Sequence, residues 1–304
     1  MKIANDISFG VELEAIIPLT SGVSKEDMLD RLRDTLIGIG LPTTTDYDDN
    51  EDTYEYRGKA SPSHWVIRFD DSVAPTDEDK THFNTQNFLR FEISSPVLKG
   101  KKGLSDIQKM FVAVASLNGF ANETCGYHVH FSPQDRRYTK EEVSNFVQAA
   151  FNEEPNYNAL IAEERITNEH CRKYLSSQIS RVADIPNATF SELIGDEKYC
   201  KITLKRVVPL DKKGRRRPFK SNPHRSPFMK TIESRGKEAK GFEKDNGAEH
   251  LDFTATMVNF TSLAIASGKA SFADAARMTC ADRRGRGPVT RTVKLARQIA
   301  EYSI

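Results

Sequence analysis

Residues 7–14 read Ile-Ser-Phe-Gly-Val-Glu-Leu-Glu (ISFGVELE). β-Branched and aromatic residues followed by strict alternation mark an extended strand. Successive side chains on a strand point to opposite faces, so Glu12 and Glu14 share one face and Val11 and Leu13 the other. The same division recurs along the chain. In FLRFEISS (88–95), Arg90, Glu92 and Ser94 lie opposite Phe91 and Ile93. In GYHVHFS (126–132), His128 and His130 lie opposite Tyr127, Val129 and Phe131. In FMKTIESR (228–235), Glu233 and Arg235 share a face with Ile232 behind them. WVIRFD (65–70) is another strand, leading into Asp70 and Ser72, and KYCKITLKRVV (198–208) a further one. Each strand taken singly suits a sheet with one face in water. Exposed faces usually mix Lys, Thr, Ser and Gln, however, whereas these are rich in carboxylate and imidazole.

Between the strands lie helical patterns. Ser24 caps a helix over 24–38, whose stripe is Met28, Leu29, Leu32 and Leu36. A second covers 104–118, with Ile107, Met110, Phe111, Val114 and Leu117 on one side and Gly119 as its stop. Thr139 and Glu142 form a capping box that opens a helix to about Phe151, and helical character continues over roughly 155–176. Helices near 247–267, 271–280 and 289–302 close the chain. The acidic stretch 44–62 reads as a hairpin or loop, and 211–227, with three prolines and many cations, as a mobile loop. Strands separated by single or paired helices predict an α+β fold with a mixed or antiparallel sheet. Neither GxGxxG nor GxxxxGK[ST] occurs, which argues against Rossmann and P-loop nucleotide sites.

Composition narrows the class. The chain has 304 residues, 38% of them hydrophobic and 29% charged, enough to bury a large core and inconsistent with a disordered chain. No apolar run approaches the roughly 18 residues of a membrane span. Acids at Asp6, Glu12 and Glu14 stand where a secretory signal needs apolar residues, so a cytoplasmic location is expected. Cys125, Cys171, Cys200 and Cys280 are widely spaced and read as reduced thiols. The net charge of +1 conceals an asymmetry: residues 1–120 carry −7, 121–199 carry −5 and 200–304 carry +13. An acidic front with a basic back suits a protein holding both metal cations and polyphosphate, or a globular domain with a basic arm for nucleic acid.

Several glutamates on one surface repel and raise one another's pKa, and a divalent cation removes the conflict. Carboxylate oxygens favour Mg²⁺ or Mn²⁺, and imidazole is more compatible with Mn²⁺ or Zn²⁺. The HxH pair by itself also suits a zinc hydrolase. Yet there is no HExxH, and His64, His82, His170, His224 and His250 offer poor contexts for completing a zinc site.

The motifs FGVELE, WVIRFDDS, FEISSPVLKGKKGL, CGYHVHFS, RITNEHC and TIESR occur in that order from about residue 7 to 265, and the set resembles the amidoligase family, relatives of glutamine synthetase and glutamate–cysteine ligase. The resemblance implies a single glutamine synthetase-like catalytic domain over 1–304, with a curved, mostly antiparallel sheet, carboxylates inward and helices on its outer face. It implies ATP-dependent amide-bond formation with Mg²⁺ or Mn²⁺, joining small-molecule or peptide carboxylates and amines. Glu12 and Glu14 match the family's first metal-binding pair and Glu92 its central-strand carboxylate. His128 matches the imidazole near the metals and phosphates, with His130 beside it toward the nucleotide. Glu233 and Arg235 match the closing E-x-R, the Glu on metal and the Arg on the phosphoryl group. Asp70 matches the D-x-S position and is a candidate base for the amine, and Arg165 matches the arginine of R-x-x-N-x-x-C. The chain departs from the family in reading Glu233-Ser234-Arg235 for E-F-R, followed by GKEAKGFEKDNG where a Gly-Thr segment is usual.

The basic back supplies further candidates for phosphate contact: Lys205, Arg206, Arg215, Arg216 and Arg217. DKKGRRRPFK (211–220) and DRRGRGPVTR (282–291) also suit a nucleic-acid-binding module or an enzyme modifying nucleic acid, although no readout motif accompanies them.

Overall fold

A computed structural model of the protein describes residues 1–46, 63–166, 202–204, 231–281 and 290–302. Eight strands among these residues form a single open sheet. They are β1 (Ile7–Pro18), β2 (Thr43–Asp46), β3 (Trp65–Phe69), β4 (Phe88–Ser94), β5 (Leu98–Lys99), β6 (Gly126–Pro133), β7 (Ile202–Thr203) and β8 (Ile232–Glu238). Their order is β2-β3-β4-β1-β6-β8-β7, with β5 also on β1. Every pairing is antiparallel except β2 with β3. Because β2 and β3 run the same way, they are not joined to each other by a tight turn. Residues 47–62 themselves lie outside the described residues, as do 211–227 and all of 198–208 except 202–204.

The central trio is β4-β1-β6. Glu14 faces Glu92 across one ladder, and Glu12 faces His128 across the other. On the opposite face Val11, Leu13, Phe91, Ile93, Tyr127, Val129 and Phe131 are all buried. That burial specifies the register, because a one-residue slip would send the whole apolar set to the wrong side.

Ten helices accompany the sheet among the described residues. They are α1 (Lys25–Gly38), α2 (Asp77–Phe83), α3 (Gly100–Ser116), α4 (Lys140–Asn152), α5 (Glu154–Asn158), α6 (Glu163–Ile166), α7 (Phe242–Asp245), α8 (Ala248–Ser267), α9 (Phe272–Cys280) and α10 (Arg291–Tyr302). Tyr127 shows the layering: its ring lies 5.7 Å from that of Phe111 in α3, and its hydroxyl is 2.8 Å from Thr254 Oγ1 in α8. The Ser24 cap and the Thr139–Glu142 capping box form as the sequence indicates. Helix α3 begins four residues before the stripe suggests, since Lys101 and Lys102 of its first turn are exposed. The helical stretch from 155 is interrupted between α5 and α6, where Leu160, Ile161 and Ala162 are buried in succession and the Ala162 N–H donates to Glu238 Oε2 at 2.9 Å. Beyond Ile166 that stretch is outside the described residues. No helix among the described residues is long and apolar enough to cross a membrane. Cys125 is a buried free thiol, and Cys171 and Cys200 lie outside the described residues.

Helix α8 is wedged between β1 and β6 on one side and α4 and α9 on the other. It therefore buries polar residues as well as apolar ones, and each needs a partner. Asn259 accepts from the Ala4 N–H at 2.8 Å and donates to Lys2 O at 3.1 Å and Thr279 Oγ1 at 3.0 Å, tying the segment before β1 to two helices. Asn259→Ala should cost about 2–4 kcal/mol in urea unfolding, because several buried groups lose their partner together. A loss under about 0.5 kcal/mol would show that water replaces the amide there.

Candidate active site

Two groups of potential metal ligands form on the face that carries the acids. Ligand atoms of Glu12, His128 and Glu233 lie within 4.8 Å of one another, and so do those of Glu14, Asp70 and Glu92. Glu12 and Glu14 are two residues apart on β1, so the groups are neighbours on one face. The His128 ring stands between them. Its Nδ1 is 3.2 Å from Glu12 Oε2 and 3.8 Å from Glu233 Oε1, and its Nε2 is 3.7 Å from Glu14 Oε1. His130 Nε2 reaches Glu12 Oε1 at 3.2 Å, and its Nδ1 is 3.3 Å from Thr231 Oγ1.

These acids lie in a poorly solvated place. Glu233 is 1% exposed and Glu92 is 5% exposed. Burial, with Glu12, Glu14 and Asp70 nearby, pushes the Glu92 carboxyl up to about 8, although Arg68 opposes the shift. Arg68 Nη1 lies 3.4 Å from Glu92 Oε1, and the Ser94 hydroxyl donates to the same oxygen at 2.9 Å. Burial works against the charge of Arg235 too, but Glu233, Glu12 and Glu14 outweigh it and raise the guanidinium above its usual value. One carboxylate forced toward neutrality beside four others is the mark of a site short of positive charge. Five carboxylates and one imidazole form a hard donor set that fits Mg²⁺ or Mn²⁺. Neither group contains both imidazoles of the HxH pair.

The loops that complete the site meet at Gly126. Its N–H donates to Glu14 Oε2 at 2.6 Å. A Cβ at this position would stand 2.7 Å from His128 Nε2 and 3.1 Å from Glu14 Oε2, so glycine lets these two groups close on the strand. Arg165, 5% exposed, comes beside Gly126 from α6, and its Nη2 donates to Arg235 O at 3.2 Å. Arg235 Nη1 bonds Glu233 Oε1 at 2.6 Å. Asp70 closes a tight turn after β3, accepting from the Ser72 N–H at 2.9 Å and the Ser72 hydroxyl at 2.6 Å.

The structure thus brings together Glu12, Glu14, Asp70, Glu92, His128, His130, Arg165, Glu233 and Arg235. Lys205, Arg206, Arg215, Arg216 and Arg217 lie outside the described residues. Two participants carry a signal that sequence reasoning passed over. Arg68 precedes Asp70 by two residues, and period-2 alternation places it toward the acids. Gly126 opens the HxH strand but has no side chain to draw attention to its backbone N–H.

The face thus gathers acids in two adjacent groups, with the guanidinium groups of Arg68, Arg165 and Arg235 beside them. The family model described as "Putative amidoligase enzyme" matches residues 5–245, and the chain belongs to that family. The match includes both groups and ends before α8. No curated protein matches the chain.

Glu92 gives the site a measurable pH signature. Its folded value of about 8 exceeds the ordinary 4.5, so between these limits the folded protein keeps a proton that the unfolded chain has lost. Stability of the cation-free protein therefore falls as pH rises through that window, by roughly 1 kcal/mol per pH unit from this group. Glu92→Gln has no such proton to lose. Its urea midpoint should gain on the parent's between about pH 5 and about pH 8 and run parallel below about pH 4. A constant difference at every pH would mean that Glu92 titrates as an ordinary carboxylate.

Proposed function

We propose that the protein is an ATP-dependent carboxylate–amine ligase requiring Mg²⁺ or Mn²⁺. The supporting observation is the pair of acid groups sharing β1, with Arg235 and Arg165 beside them. A free carboxylate does not condense with an amine at neutral pH, because hydroxide is a poor leaving group. In the proposed reaction a carboxylate oxygen of the substrate attacks the γ-phosphorus of ATP and ADP leaves, giving an acyl phosphate. The amine nitrogen then attacks the acyl carbon, phosphate leaves and the amine's proton goes to a base.

In this reading Glu12, His128 and Glu233 hold one cation, and Glu14 and Glu92 the other. Bound divalent cations supply neutralisation of the phosphate charge and fix the triphosphate for in-line displacement. Arg235, kept cationic by the acids around it, offers donors to the phosphoryl oxygens, with Arg165 behind it. Asp70 is half-buried and held by Ser72, and it is the proposed acceptor of the amine's proton. His130, against Glu12, faces the nucleotide side.

Glu14→Ala combined with Glu92→Ala should lower cation-dependent ATP turnover by at least about 100-fold, followed as ADP release. The parent should gain thermal stability on addition of Mn²⁺, and the double variant, which keeps only the Glu12–His128–Glu233 group, should gain clearly less. Turnover by the variant at the parent's rate would overturn the assignment. The acid and amine are then identified by mass spectrometry of products formed from mixed amino acids and polyamines with ATP and Mg²⁺.

A further inference from the structure

Strand β8 carries Glu233 and Arg235, and it is irregular. Between the pairs Tyr127↔Lys237 and Val129↔Ser234, β6 contributes one residue, His128, whereas β8 contributes two, Arg235 and Gly236. This is a β-bulge, and bulges re-aim side chains. Regular alternation would leave 233, 235 and 237 on one face. The extra residue instead sends Lys237 to the rear face opposite Tyr127, where it is 1% exposed. A lone ammonium is costly in such a place. Lys237 Nζ is met by Glu238 Oε1 at 2.8 Å and Glu249 Oε1 at 2.7 Å.

A second cation closes the set. Arg291 Nη1 lies 2.5 Å from Glu238 Oε1, and its Nε lies 3.4 Å from Glu249 Oε1. Thr290, just before Arg291, donates its hydroxyl to Asp252 of α8 at 2.7 Å, so the first turn of α10 is fixed against α8. Although burial opposes it, Lys237 holds the Glu238 carboxyl below its usual value, with Arg291 adding to the effect. The bulge is closed from a third side by Tyr157, whose hydroxyl is 2.8 Å from Ser234 Oγ. A Cβ at Gly236 would come within 2.4 Å of that hydroxyl. The network reaches both site arginines. Arg235 is itself a bulge residue, and Glu238 Oε2 holds the Ala162 N–H just ahead of the α6 helix that bears Arg165.

We infer that Lys237, Glu249 and Arg291 are positioning residues: they pin the β8 bulge from behind and so orient Arg235 and Arg165 on the acid face. Glu249 and Arg291 lie beyond the residues matched by the family model, so the C-terminal helices form part of the frame of the site without touching it. Lys237 and Arg291 balance Glu238 and Glu249 charge for charge, so removing either cation leaves one acid uncompensated and loosens the support behind the bulge.

The test uses Lys237→Met, which keeps the side-chain length, and Arg291→Ala, whose loss at a partly exposed position leaves the buried Lys237 pairs intact. The first readout is the arginine side-chain NMR signal of Arg235 in the full-length protein, assigned by its absence in Arg235→Lys. It should shift or broaden in both variants, while that of Arg136, bonded to the remote Glu142, stays in place. The second readout rests on the ligase reading: kcat for ATP turnover should fall roughly 10- to 100-fold, with KM for ATP and the Mn²⁺ concentration for half-stabilisation nearly unchanged. An unmoved Arg235 signal overturns the inference. A moved signal with an unchanged kcat also overturns it, because the network would then be scaffold only. A moved signal in a protein whose parent turns over no ATP supports the positioning role and refutes the ligase reading instead.

Discussion

Like charges are forced together here by the burial of the opposite side of the same strands. Val11, Leu13, Phe91, Ile93, Tyr127 and Val129 must face the helices, and strand alternation then obliges Glu12, Glu14, Glu92 and His128 to face one another. The hydrophobic effect acting on one face therefore sustains an electrostatic conflict on the other. Arg68 relieves part of it, and the Glu92 carboxyl is raised by its burial first and by Glu12, Glu14 and Asp70 beside it. In the proposed reading a cation would relieve this repulsion, so the proposed cation sites follow from the same core that fixes the strands.

The two sides of the site are held differently. The Glu14–Asp70–Glu92 side rests on regular ladders between β1, β4 and β3, with short side-chain bonds from Ser72 and Ser94. The Glu233–Arg235 side sits on a bulged strand, and its geometry depends on contacts behind the sheet with Tyr157, Glu249 and Arg291. A regular ladder positions carboxylates through backbone pairing alone. A bulge gives up part of that pairing and must be supported by packing and charge. It is fitting that the cationic groups, which in the proposed reaction answer to charge developing on a phosphoryl group, lie on the side whose aim can be set independently.

Much of this was legible because a strand writes its faces directly into the sequence. The acid-bearing positions of β1, β4, β6 and β8 follow from period-2 alternation, and the helices with apolar stripes follow from their spacing. Elements without a buried stripe left no such trace. Helix α2 buries no side chain, and its only signature is the Thr76–Asp79 capping box. Arg68 and Gly126 were passed over because one resembled any charged residue at the sheet surface and the other acts through its backbone. The parallel pairing of β2 with β3 was out of reach, since acidic polar residues between two strands look alike whichever way the strands run.

Local residue pattern alone determined which side chains share a face, where the capped helices begin and that acids outnumber bases in the first two-thirds of the chain. These follow from covalent geometry and periodicity, which act over a few residues. Only the tertiary structure decided that the acids divide into two groups astride His128, that Arg165 arrives from a helix to bond the backbone of Arg235, and that Lys237 turns away from the site into a buried ion pair. Each of those depends on contacts between segments dozens to more than a hundred residues apart, and on one extra residue in β8 whose effect on alternation is fixed by what packs behind it.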